Sequence, residues 1–162
     1  MILRMPWIAL PLLVLAGCAD MLAADPPGPV QPGMQRTQEQ VRSAAAALLD
    51  GVRRYESGQY QEAIAVLSAP EMQAAPEPIR VEALKYTAFS YCVTEDYPRC
   101  RRAFDLALAV DGGFDLRSSE RGHPMWGPVF DAAKAASIQE REHASLDHDR
   151  ERWRGIDLWR AR

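Results

Sequence analysis

Three cysteines and three histidines hold most of the reactive chemistry in this 162-residue chain. Cys92 and Cys100 stand eight residues apart, and Cys18 stands well away from both. His123 lies between Gly122 and Pro124. There an imidazole reads as a turn or helix-cap element rather than as a catalyst. His143 and His148 are five apart, which puts them on different faces of a helix, and no cysteine or carboxylate completes a zinc site with them. Asp147 and Asp149 lack a calcium-loop pattern around them. Ser118-Ser119-Glu120 reads as a cap-like cluster, not a nucleophile elbow. No glycine-rich phosphate loop occurs. The sequence points away from an enzyme and calls for no metal, cofactor or small-molecule substrate.

The elements that place these residues begin at the N-terminus. Arg4 precedes an apolar run from Trp7 to Val14, which closes on Leu15-Ala16-Gly17-Cys18. A basic start, a short apolar core and a small-residue cleavage site make a secretory signal. The run is too short to span a bilayer, which takes about 20 residues as a helix. With a cysteine directly after Leu-Ala-Gly, the segment resembles a bacterial lipoprotein signal. That resemblance implies lipidation of Cys18 by acyl chains such as palmitate, and loss of residues 1–17. Ala19 after the cysteine, rather than Asp, favours the outer membrane with the body facing the periplasm; Asp20 follows one place later. Lipid chains give stable anchoring because each buried CH₂ contributes ~0.8 kcal/mol.

Residues 18–34 read as the lipidated cysteine and a tether. Pro26, Pro27, Pro29 and Pro32 alternate with Gly28 and Gly33. Proline fixes φ and removes a donor, so this stretch reads as extended, with a reach of up to about 50 Å. Residues 35–136 suit one small domain, and 137–162 form a charged helical or flexible tail. Loss of the signal removes one of the 19 basic residues, Arg4, and none of the 22 acidic ones, so the formal charge moves from −3 to −4. Nucleic-acid binding needs a basic patch that is missing here. In an oxidising compartment Cys92 and Cys100 read as an intramolecular disulfide; free buried thiols or an intermolecular bond are the alternatives.

Strand signals are weak and alanine is abundant, so the expected class is all-α. A first helix is expected over about Thr37–Glu56, with Val41, Ala44, Ala45, Leu48, Leu49 and Val52 on one stripe. Ser57-Gly58 breaks it. A second helix covers about Tyr60–Leu67. Pro70, Pro76 and Pro78 mark a loop with room for a turn at Glu71–Ala74. A third helix covers about Ile79–Val93 and a fourth about Tyr97–Val110, ended by Gly112-Gly113. Ser119 or His123-Pro124 begins a capping helix, in which Trp126, Val129, Phe130 and Ala133 share a face. The tail holds Trp153, Ile156, Leu158 and Trp159 among arginines, and reads as docking on the body or a partner, or fraying, before membrane contact.

The stretch from Gly58 to Leu67 parallels that from Glu95 to Phe104 at an offset of 37 residues. The period is near that of tetratricopeptide repeats, and the pattern resembles them. Leu84, Ala88, Tyr91, Tyr97, Cys100, Phe104 and Ala107 fall on the large and small positions of the second copy. The first copy departs at Pro70, which shortens its second helix. The resemblance implies about two helical hairpins with a C-terminal cap, and a concave face lined by Leu48, Val52, Tyr55, Lys85 and Phe89. The other reading of those five residues is plain core.

Lipobox, tether, two hairpins, the Cys92/Cys100 pair, Phe114-x-Leu116 and the segment His123-Pro124-x-Trp126-Gly127-Pro128-Val129-Phe130 occur here in one order. Together they resemble the TssQ-type lipoproteins associated with type VI secretion. That resemblance implies a non-enzymatic accessory part of an envelope complex, with envelope proteins as partners and His123, Pro124, Trp126, Gly127 and Phe130 as a structural motif. A general structural or assembly lipoprotein, associated with peptidoglycan or the outer membrane, is the alternative. A hydrolase using His123 is a third and weaker reading.

Overall fold

The computed structural model describes residues 32–160, and side chains within 33–153. The signal segment, Cys18 and the tether up to residue 31 lie outside the described residues. Six helices and no strand occur among the described residues: α1 (Pro32–Glu56), α2 (Tyr60–Leu67), α3 (Pro70–Gln73), α4 (Glu77–Val93), α5 (Tyr97–Val110) and α6 (Gly127–Arg160). The all-α class is as the periodicity implies.

Three boundaries differ from the sequence reading. Helix α1 starts at Pro32, inside the stretch read as tether. Proline fits a first helical turn, and nothing from Met34 to Asp50 breaks the helix after it. The turn after Leu67 is a short helix whose Met72 is buried. Helix α6 starts at Gly127 rather than at Ser119 or His123, because the preceding segment is tied into turns described below.

Successive helices pack as hairpins: α2 on α1, then α4 across both, then α5 on α4 and α6 on α5. Small residues sit at the crossings; Ala63, Ala88, Ala107 and Ala133 are fully buried. Gly51 is buried on α1, and a Cβ there would collide with Leu67 of α2. One core cluster gathers Ala44, Ala63, Leu67, Met72 and Ala83 between α1, α2, α3 and α4. A larger one gathers Phe89, Phe104, Leu108, Phe114, Trp126 and Phe130. Tyr55 and Tyr86 pack against both.

The α1–α2 and α4–α5 turns are equivalent at the offset of 37. In the first, the Gly58 N–H donates to the Tyr55 carbonyl and the Gln59 N–H to the Arg54 carbonyl. In the second, Glu95 donates to Cys92 and Asp96 to Tyr91. The six-to-one bond in each is the Schellman closure of a helix end. It requires a left-handed residue, which is Gly58 at φ 76° in one turn and Glu95 at φ 62° in the other.

Of the expected stripe on α1, Ala44 is buried and Leu48 and Val52 are half-buried, whereas Val41 and Leu49 are exposed. Among the described residues this helix is covered mainly by α2 and α4, so the buried stripe is narrower than the periodicity suggests. Every described side chain from Ile138 to Trp153 is exposed. Trp153, 65% exposed, does not dock on the body; Ile156, Leu158 and Trp159 lie outside the described side chains.

Candidate functional site

Cys92 and Cys100 are bridged, with Cα atoms 5.2 Å apart and both residues fully buried. Cys92 ends α4 and Cys100 sits in the first turn of α5, so the hairpin turn itself brings them together. The bridge closes a short loop and contributes about 2–3 kcal/mol in the chain-entropy account.

The expected concave face is not open. Leu48, Val52 and Tyr55 are half-buried on α1, but Lys85 and Phe89 are buried at 1% and 2% exposure. This corrects the expectation that Lys85 and Phe89 would face a partner. The chain fills that side of α4 itself. The Tyr55 ring packs at 5.3 Å from Tyr86 and 6.1 Å from Phe89, and burial, with Tyr60, Tyr86 and Glu120 nearby, pushes its hydroxyl pKa up to about 12. From the other side the segment between α5 and α6 folds over.

That segment contains the sequence motif, and each member has a structural task. The Trp126 ring stacks between His123, at 3.4 Å, and Phe89, at 4.3 Å. Its indole N–H donates to the Glu120 carbonyl at 3.0 Å. His123 Nδ1 accepts the Met125 N–H at 3.3 Å, and the His123 carbonyl accepts the Gly127 N–H at 2.8 Å. Gly122 takes φ 72°, Pro124 occupies the exposed turn, and Phe130 packs edge-on to Phe104 and Phe114. His123 thus fixes a turn, as its neighbours suggested.

Lys85 is the unexpected member. Its ammonium donates to Glu82 at 2.7 Å and to Glu120 at 2.8 Å and lies 4.7 Å from the Tyr86 ring centroid. Arg117 bonds the same Glu82 oxygen at 2.8 Å, and the Arg117 N–H donates to the second Glu120 oxygen. Asp115, held below the usual carboxylate range by Lys134 and Arg121, ties the segment to α6. A buried ammonium with two carboxylates is a tie between α4 and this loop.

The open surface is on the opposite side of α4. At 100° per residue, Thr87 lies about 160° around the helix from Lys85. There α3, α4 and α5 enclose a groove of about 900 Å³. Leu84 and Tyr91 on α4 and Leu106 and Val110 on α5 give it apolar walls, and Arg80, Arg99 and Arg102 stand along it. It exists because α2 and α3 are short: Pro70 ends the first hairpin before its second helix reaches the length of α5. Sequence reasoning noticed that shortening without drawing the surface it uncovers. The signal was there in Arg80, Leu84, Thr87 and Tyr91, a second stripe at helical spacing on α4.

Among the described residues no group of His, Cys, Asp and Glu is placed to hold a metal, and no helix is long and apolar enough to cross a membrane. No protein-family model, curated protein or solved structure matches this chain.

Proposed function

We propose that this chain is a non-enzymatic scaffold of the bacterial envelope, lipidated at Cys18, held at the outer membrane and facing the periplasm. Its two hairpins are read as tetratricopeptide-like units that bind another envelope protein. The resemblance to TssQ-type lipoproteins makes an accessory role in a type VI secretion envelope complex the specific form of this reading. The observation that carries it is the open, apolar-walled groove across α3, α4 and α5. The groove lies opposite the side where a repeat stack would be concave, and amphipathic helices seat their apolar faces in grooves of this kind. The lipobox and the bridged cysteine pair support an exported, oxidising location.

The test is crosslinking in intact envelopes, then affinity capture of the tagged chain and mass spectrometry. The expected result is recovery of type VI membrane-complex or baseplate-linked proteins, lost in Leu106→Asp. Recovery of only peptidoglycan or general outer-membrane proteins overturns the secretion role. Palmitate labelling that persists in Cys18→Ala overturns the anchor.

A further inference from the structure

We propose that the α3–α5 groove takes an amphipathic segment of another protein that carries acidic side chains beside its apolar stripe. The inference rests on the scaffold reading and adds the chemistry of the ligand. Charge complementarity is the argument. The groove has three arginines and no aspartate or glutamate along its lining, on a chain whose formal charge is −3. The lining is thus positive although the chain as a whole is acidic.

The three guanidinium groups are under-used by the protein itself. The buried Nε of Arg80 has no hydrogen-bond acceptor among the described residues, and a terminal nitrogen makes one long bond, 3.3 Å, to the Gln73 carbonyl. That Nε is out of solvent, so a carboxylate laid along the groove meets Arg80 through its exposed terminal nitrogens. Arg102 is exposed and has no ion-pair partner among the described residues. Arg99 pairs with Asp96 at 3.2 Å, in an exposed contact of little strength, and lies 5.7 Å over the Tyr91 ring. Arg99 and Arg102 are three apart on α5 and so flank one side of the groove.

The apolar walls set the rest of the ligand. Leu106 is 47% exposed, and Leu84, Tyr91 and Val110 are only half-buried. An open trough with apolar walls and charged edges matches helix-in-groove recognition, in which apolar residues at i, i+3, i+4 and i+7 seat inside and polar ones meet the edge. The open shape fits a chain segment better than a small molecule, which binds in an enclosing pocket.

The experiment uses the mature full-length chain in detergent and two fluorescein-labelled helical peptides. Both carry leucine at i, i+3, i+4 and i+7; one has glutamate on its flanks and the other lysine. The expected result is that the glutamate peptide binds at least about tenfold tighter and weakens with added salt. The double variant Arg99→Glu/Arg102→Glu, both exposed sites, keeps the thermal melt and reverses the preference. Leu106→Asp removes binding of both peptides. Equal binding of the two peptides, or a preference that survives the double variant, overturns the proposal. Envelope capture separates the two readings. Type VI partners retained by the double variant remove the groove but leave the scaffold. Peptide discrimination without such partners leaves the groove and removes the secretion role.

Discussion

Lys85 is an ammonium at 1% exposure held by two carboxylates, Glu82 and the 14%-exposed Glu120. Breaking such a tie from one side leaves a nearly buried charge alone, which costs more than the pair contributes. Lys85→Met is expected to destabilise the chain by about 2–4 kcal/mol in denaturant unfolding. Adding Glu120→Gln should recover much of that loss, because the more buried of the two carboxylates is then neutral and Glu82 keeps Arg117. Tyr55 carries a pH signature. Its hydroxyl ionises near pH 10.0 in the unfolded chain and near 12 in the folded one, chiefly through burial. The folded state keeps the proton longer, so this contribution is complete below about pH 10 and drains as pH rises to 12. Tyr55→Phe should flatten the fall of stability across that window in denaturant melts at stepped pH. Burial of Lys85 matches the core reading of the expected concave face, but its tie to the loop was not legible, because Glu120 lies 35 positions away in a segment whose path no local pattern fixes.

At the scale of elements the sequence was more readable. Helical spacing, Gly58 and Gly112-Gly113 located the hairpins, and the 37-residue echo corresponds to two turns closed by the same hydrogen bonds. Helix starts were harder, since Pro32 opens α1 in a stretch whose composition reads as extended. Equivalence of the turns makes Glu95 conspicuous, because a side chain at φ 62° stands where the first turn has glycine. Left-handed geometry costs a non-glycine residue roughly 1–2 kcal/mol, part of which returns as the extra freedom of glycine in the unfolded chain. Glu95→Gly should raise stability by about 0.5–1 kcal/mol in chemical denaturation.

For the whole molecule, the body ends well before the chain does. From Ile138 to Trp153, α6 buries none of its side chains. Apart from Arg141, whose guanidinium donates to the Gly112 carbonyl, this polar stretch draws its stability from local pairs such as Arg150–Asp147. Deleting the residues after Gln139 is expected to change the thermal midpoint by no more than about 2 °C while removing helical ellipticity. A larger drop would show that the Arg141–Gly112 contact, lost with this segment, holds the body together. The charged composition of this region made its solvation legible. The groove was not, because it arises from the mismatch in length between the two hairpins rather than from any one stripe. A sequence displays what each helix offers, whereas an uncovered surface depends on where its neighbour stops.

The two equivalent turns solve one geometric problem with different means, and they should therefore open differently. The α1–α2 turn relies on a glycine that adopts its conformation freely, while the α4–α5 turn holds a disfavoured backbone beside a covalent bridge. Remove the bridge and only the second turn loses a restraint. Hydrogen exchange on the intact chain should show comparable amide protection at Gln59 and Asp96. After reduction, Asp96 and the last turn of α4 should exchange first, with Gln59 unchanged. Each hairpin would then report on the redox state of its surroundings to a different degree, one as a sensor and the other as its internal reference.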